Sequence, residues 1–408
     1  MSWVEGKIGD FVEIKHGFAF KSEFFTDEGE LVVLTPGNCH ERGGFRSKGE
    51  KEKFYRGPVP DGYLLEEGEL VVVMTDLVST APVLGGAFTI PEGNRFLHNQ
   101  RLGLIEVTDP SRIDKRFLYH LLNTNGYRAQ VRGSATGATV RHTAPGRIKE
   151  CRVRYPRDIR VQAKVADILS AYDDLIENNR RRIALLEEAA RLLYREWFVH
   201  FRFPGHEHVP LIDGLPEGWE RQAASAVMDV LSGGTPKTGN ATFWDGDIGF
   251  FTPKDATDTP YVLTTEKTIT EEGLRACNSK LYPTDTLFIT ARGTVGKLNL
   301  ALVPMAMNQS CYALRSKSRF GQRYLYVALK AAIEQVRSRA TGAVFDAIIV
   351  ATFDRIPFLV PPANLTRSFE QSIDPMFDQI ANLIQQNQKL ARARDLLLPR
   401  LMNGEIAV

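Results

Sequence analysis

ARGTVGK (291–297) carries the glycines and the lysine that a phosphate cradle uses, so chemistry is sought there first. A P-loop needs a Gly five residues before Gly296 and a Ser or Thr after Lys297. Ala291 and Leu298 hold those positions, so nucleotide binding is not expected. GHEH (205–208) offers His206 and His208, and WDGD (244–247) offers Asp245 and Asp247. A metal centre needs three or four ligands at fixed spacing. Neither pair has a third ligand at a fixed spacing, so no metal is expected. GHEH reads as a solvated loop and WDGDI as a turn with an aromatic anchor.

The other chemically suggestive residues are cations. Arg128, Arg132, Arg141, Arg147, Lys149, Arg152, Arg154, Arg157 and Arg160 crowd one stretch, opposed only by Glu150 and Asp158. Eight Lys and Arg fall between Arg315 and Arg355, against Glu334, Asp346 and Asp354. The chain as a whole carries only +2. Two local basic stretches on a nearly neutral chain suggest two phosphate-facing surfaces, although a solvated helix face would look the same. Each stretch also holds a small-residue loop, SATGAT (134–139) and RATGAV (339–344). Gly, Ser and Thr there permit close backbone approach and supply donors to phosphate oxygens.

The elements that position these residues follow from an internal repeat. RFLYHLL (116–122) matches RYLYVAL (323–329), HNQR (98–101) matches MNQS (307–310), and RIKECRVRYP (147–156) matches RIPFLVPP (355–362). With the two ATGA loops, these ordered matches fall at shifts of 205–209 residues. The chain is therefore a duplication with a period near half its length. Each copy opens with short β-like runs, among them LVVL (31–34), ELVVVMT (69–75), RLGLIEV (101–107), DTLFIT (285–290) and SCYALR (310–315). A helical RxLY segment and the ATGA loop follow, and each copy closes with a long charged stretch.

Those closing stretches share a heptad register. Leu169, Ile176, Ile183, Ala190 and Trp197 take position a, with Tyr172, Asn179, Leu186 and Leu193 at d. The second copy has Ile373, Ile380, Asn387, Arg394 and Leu401 at a, with Met376, Leu383, Leu390 and Leu397 at d. Two helices, over 161–199 and 365–403, are expected to form an antiparallel coiled coil, with a kink or late start at Pro375. Each of ~38 residues would be about 57 Å long, a ruler with a globular unit at either end. The fold class expected is α+β: two mixed α/β domains and two long helices, related by a pseudo-twofold repeat. The boundaries expected are 1–156, 157–202, 203–361 and 362–408. Cys39, Cys151, Cys277 and Cys311 lack CxxC spacing and read as plain thiols. No apolar run approaches the ~20 residues of a membrane helix, and a cytoplasmic protein is expected.

GLPEGW (214–219), GGTPKT (233–238), WDGDI (244–248), RGTVGK (292–297) and the terminal LLPRLMNGEI (397–406) together resemble the specificity subunit of Type I restriction–modification systems. The resemblance covers essentially the whole chain. It is looser in the first copy, where GFAFKS (17–22) stands for GGTPKT, TDLVSTAPVLG (75–85) stands for ARGTVGK, and WDGDI has no counterpart. The resemblance implies two target-recognition domains and two spacer helices. It implies binding to double-stranded DNA and to two modification subunits that methylate adenine, and it admits ATP-driven restriction (motor-nuclease) subunits as further partners. S-adenosylmethionine, ATP and magnesium would sit on those partners and not in this chain. VPPAN (360–364) lacks the Asn or Asp before, and the aromatic after, its prolines that an adenine methyltransferase needs, so no catalytic residue is expected here. The candidate DNA contacts are Arg128, Arg132, Thr136, Arg141, Lys237, Arg292, Lys297, Arg337, Arg339 and Thr341. The candidate seam is Leu169, Ile176, Ile183, Leu186, Ile373, Ile380, Leu383 and Leu390. The competing reading is a two-headed protein scaffold with only non-specific affinity for DNA.

Overall fold

The computed structural model describes residues 2–317, 320–339 and 347–408, the side chains of Glu50 and of residues 336–339 excepted. The chain forms two compact units, residues 1–174 with 390–408, and residues 175–389. Each unit holds one globular head and one stretch of both long helices. The expected boundaries had set the helices apart from the heads. Instead Val165, Ala166, Leu169, Leu401 and Met402 share one apolar core with the first head.

The first head is built on LVVV. Leu70–Val73 lies inside an antiparallel sheet with Val12–His16, Leu102–Val107 and Ala87–Thr89. Alternate side chains of a strand point to opposite faces. Leu70 and Val72 meet Phe117, Leu118, Leu121, Tyr127 and Val131 of the following helices, Lys115–Leu122 and Asn125–Ser134. Val71 and Val73 meet Val32, Leu34, Leu65 and Phe96 of a second, five-stranded sheet. Both faces are covered, and so all four residues are apolar and buried.

The second head repeats the design with LFIT. Leu287–Thr290 pairs antiparallel with Cys311–Ser316 on one side and Leu298–Ala301 on the other. Leu287 and Ile289 pack towards the helix Gln322–Arg339 through Tyr324, Leu325 and Leu329. Phe288 packs the other way, on Phe251, Met305 and Met307. Each head is framed by an antiparallel strand pair, Trp3–Lys7 with Arg152–Pro156 and Glu220–Ala223 with Pro357–Val360. WDGDI is not a turn. It starts the strand Trp244–Phe251, which carries a bulge between Trp244 and Ile248 and a positive φ of 60° at Asp245. The bulge satisfies the turn-like composition without ending the strand.

The first long helix, Ile159–Tyr194, continues as a π-helical turn at Arg195–Val199. The second, Ala363–Met402, begins well before Pro375 and passes through it, so the proline does not delay its start. In the second unit Asn179 Nδ2 donates to Asn387 Oδ1 at 3.0 Å, and Trp197 lies 5.7 Å from Phe369. Residue numbers rise on one helix as they fall on the other, so the two stretches run antiparallel. In the first unit Arg394 pairs with Asp173. Leu169, Ile176, Ile183, Ile373, Ile380 and Leu383 are buried, and Leu186 and Leu390 are half-buried. Among the described residues no helix is long and apolar enough to cross a membrane.

Candidate nucleic-acid interface

In each head three turns meet, and the repeat is preserved bond for bond. In the first, Phe18 N–H donates to the His98 carbonyl (2.8 Å), Met74 N–H to that of Arg101 (2.9 Å), and Thr143 N–H to that of Met74 (2.9 Å). In the second, Gly234 N–H donates to Met307 (3.2 Å), Ala291 N–H to Ser310 (2.8 Å), and Ile348 N–H to Ala291 (2.9 Å). The two backbones touch at a glycine. A Cβ on Gly17 would stand 2.0 Å from the Asn99 carbonyl oxygen, and one on Gly233 would stand 2.2 Å from that of Asn308. Only glycine permits such an approach.

The turn HNQR/MNQS lies at the centre of both clusters. Asn99 Oδ1 accepts from Arg101 N–H and Asn308 Oδ1 from Ser310 N–H, each at 3.0 Å. Both asparagines are thus used by the turn itself. The next residues, Gln100 and Gln309, are exposed. Beneath the first turn His98 is fully buried, with Nε2–H donating to the Leu102 carbonyl at 3.0 Å. Burial pushes its imidazole down to about 4, so it is neutral at physiological pH.

Of the candidate contacts, Lys237 and Arg292 are exposed on turns of the second cluster. The Lys237 carbonyl accepts from Trp244 Nε1 at 3.3 Å, which pins the GGTPKT turn to an aromatic anchor. Arg292 stands at the tip of a β-hairpin closed by Gly296 N–H donating to the Thr290 carbonyl (2.8 Å). Gly293 and Gly296 there take positive φ values of 79° and 82°. Lys297, at the base of the same hairpin, is engaged with Asp258 at 2.5 Å. Sidelong to the first cluster, the counterpart loop (75–85) is built differently. Buried Asp76 accepts from Val78 and Val83 N–H, and exposed Leu77 and Val78 form its tip.

The arginines around the first ATGA loop are mostly spoken for. Arg128 is only 4% exposed, and its guanidinium donates to the backbone carbonyls of Glu41 and Pro82. It cannot face a phosphate, because it holds two distant loops to the helix it sits on. Arg141 donates to the Arg132 carbonyl at 3.0 Å, and Arg147 donates to Ser134 O (2.9 Å) and Thr136 Oγ1 (3.3 Å). Gly137, with φ of 93°, closes the loop. The first ATGA loop is therefore a turn tied by its own arginines. Thr136 is exposed but already accepts one of them. Arg132 is half-buried and lines a cleft of about 590 Å³ with Arg152 and Arg154, which none of residues 98–101 lines. The side chains of Arg337 and Arg339, and Thr341 altogether, lie outside the described residues. Gln100 and Gln309 were not among the expected contacts. The signal for them was the NQ pair common to both copies.

Comparison with known proteins agrees with this two-headed construction. The family model described as the Type I restriction modification DNA specificity domain matches residues 1–188 and again 216–391. The chain is 25% identical over 340 residues to the Type I restriction enzyme MjaIX specificity subunit of Methanocaldococcus jannaschii, covering 81% of this chain and 77% of that one. It is 23% identical to the HindI specificity subunit of Haemophilus influenzae, over 61% of this chain and 68% of the relative. Its fold is similar to the crystal structure of the S subunit from M. genitalium, with a TM-score of 0.56 at 16% identity, covering 98% of this chain and 96% of that chain. Two matched heads, two long helices and a family model that fits the chain twice lead to one conclusion: this protein belongs to the Type I restriction–modification DNA specificity family.

Proposed function

We propose that the chain reads a bipartite, asymmetric sequence in double-stranded DNA, one half with each head, and brings modification subunits to it. The observation that carries this reading is the pair of turn clusters. Their backbone hydrogen bonds correspond one for one, while the side chains around them differ: Arg101 against half-buried Ser310, exposed Leu77 and Val78 against Arg292. Equal scaffolds with unequal tips are what two different half-targets require, since base edges are read by side chains and not by the scaffold. Methylation of adenine belongs to the modification subunits, with S-adenosylmethionine bound there. ATP and magnesium belong to any restriction subunits that join. Exposed Leu175, Leu185 and Leu192 on the first long helix supply an apolar face of the kind a partner helix covers.

The test is selection from random duplexes by the full chain, followed by sequencing of the bound fraction. A split motif with two unlike halves is the expected result. Featureless, salt-labile binding would instead favour the scaffold reading, because non-specific affinity is almost wholly electrostatic.

A further inference from the structure

We infer that Gln100 and Gln309 are specificity-determining residues, each pairing with an adenine in the half-target its head reads; this rests on the DNA-reading function proposed above. The two glutamines occupy the same point of two independently folded turn clusters. Apart from the asparagine before each, their neighbours do not match, His98 against Met307 and Arg101 against Ser310. The asparagine before each has a structural task, since its Oδ1 caps the turn. The glutamine has no comparable one. Gln100 is exposed and makes no side-chain hydrogen bond among the described residues. Gln309 Oε1 accepts from Thr235 Oγ1, which leaves its Nε2 without a partner among the described residues. The residue that takes the place of Thr235 in the first head is Ala19, so that bond does not explain why both heads carry glutamine.

A carboxamide is both donor and acceptor. In the major groove adenine presents the N7 acceptor beside the N6 donor, and glutamine meets both at once. Oε1 of Gln309 can take the N6–H while still accepting from Thr235, because a carbonyl oxygen has two lone pairs. Preorganisation favours the contact. The turn is fixed by the Gly17–Asn99 or Gly233–Asn308 approach and by the adjoining strand, so only the glutamine's own rotamers need be ordered on binding.

The experiment selects random duplexes with the full chain and with Gln100→Ala, Gln309→Ala and Gln309→Glu. The unsubstituted chain should prefer an A·T pair at one position in each half. Gln309→Ala should lower discrimination there by about 5- to 150-fold and leave the other half intact. Gln100→Ala should do the reverse. Gln309→Glu should move the preference at that pair towards cytosine, whose N4 amino group a carboxylate accepts from. A purely structural glutamine would not redirect a base preference. Unchanged preferences in all three variants would overturn the inference, as would loss at a G·C pair or equal weakening on every sequence. Absence of any enriched motif with the unsubstituted chain would overturn the DNA-reading function itself, and that is seen before any substitution is made.

Discussion

His98 sits beneath the turn that carries Asn99 and Gln100, and its Nδ1 has no partner among the described residues. A proton on that atom would be a buried charge without an acceptor, with Lys15 and His16 adding repulsion. The unfolded imidazole takes up its proton near pH 6.5, the folded one only at about 4. Between those values the unfolded chain binds more protons, so stability falls as pH drops from 6.5 to 4 and is unaffected by this residue above that window. The full effect is at most about 3 kcal/mol. Denaturant midpoints at pH 7 and pH 5 should show a smaller loss in His98→Gln than in the parent. His120, pushed to about 3 by burial and by Arg394, acts in the same sense and keeps part of the slope. Arg128 makes the complementary case. The sequence placed it among phosphate contacts because basic neighbours surround it. Its carbonyl partners lie 87 and 46 residues away in the chain, and no local pattern announces such a bond. Arg128→Ala should cost about 3 kcal/mol by leaving two carbonyls unpaired, with an unchanged salt slope for DNA binding. Arg132→Ala should instead reduce that slope by about one with little change in melting temperature.

Elements were more legible than residues, because periodicity is a sum over many positions. The runs at 31–34, 69–75, 101–107, 285–290 and 310–315 each contain a strand, and the heptad pattern marked both long helices. Breaks in pattern were not legible. At Arg195–Val199 the helix widens to a π turn, and adjacent Trp197 and Phe198 both turn inward on Phe369. In the heptad register only Trp197 falls at a seam position, so the inward turn of Phe198 was not marked by the pattern. WDGDI misled for a similar reason: an Asp at positive φ reads as a turn whether it ends a strand or bulges it. Of the polar seam residues, Asn179 and Asn387 proved to be partners of each other, while Arg394 pairs with Asp173. Asn179→Leu alone should strand the Asn387 amide against an apolar side chain and destabilise the second unit by about 1–3 kcal/mol. Asn179→Leu with Asn387→Leu should recover that loss, since replacing both partners removes the unmet bond. A double-mutant cycle on thermal unfolding measures the coupling, and additive losses would refute it.

At the scale of the whole molecule the repeat extends further than the close sequence matches did, and it bears out the looser pairing of GFAFKS with GGTPKT. Shifts of 204–209 residues held from HNQR onward. The earlier parts superpose at larger ones, Gly17 with Gly233 and Met74 with Ala291, a shift of 216–217. The difference arises between Met74 and His98 in the first head and Ala291 and Met307 in the second, where the longer loop 75–85 stands for the hairpin 291–297. Sequence similarity is faint there, while the backbone hydrogen bonds correspond one for one. This divergence lies in one head at a time. Each has its own apolar core and its own framing strand pair, Glu220–Ala223 with Pro357–Val360 in the second. A segment bounded by such a pair can be exchanged without disturbing the residues that read the other half-target. Replacing residues 206–360 with the equivalent segment of a relative should therefore change one half of the selected sequence and leave the other half as it was. Selection from random duplexes, run on parent and hybrid side by side, decides it. If both halves change together, base reading by one head depends on the other, and the two-reader account fails.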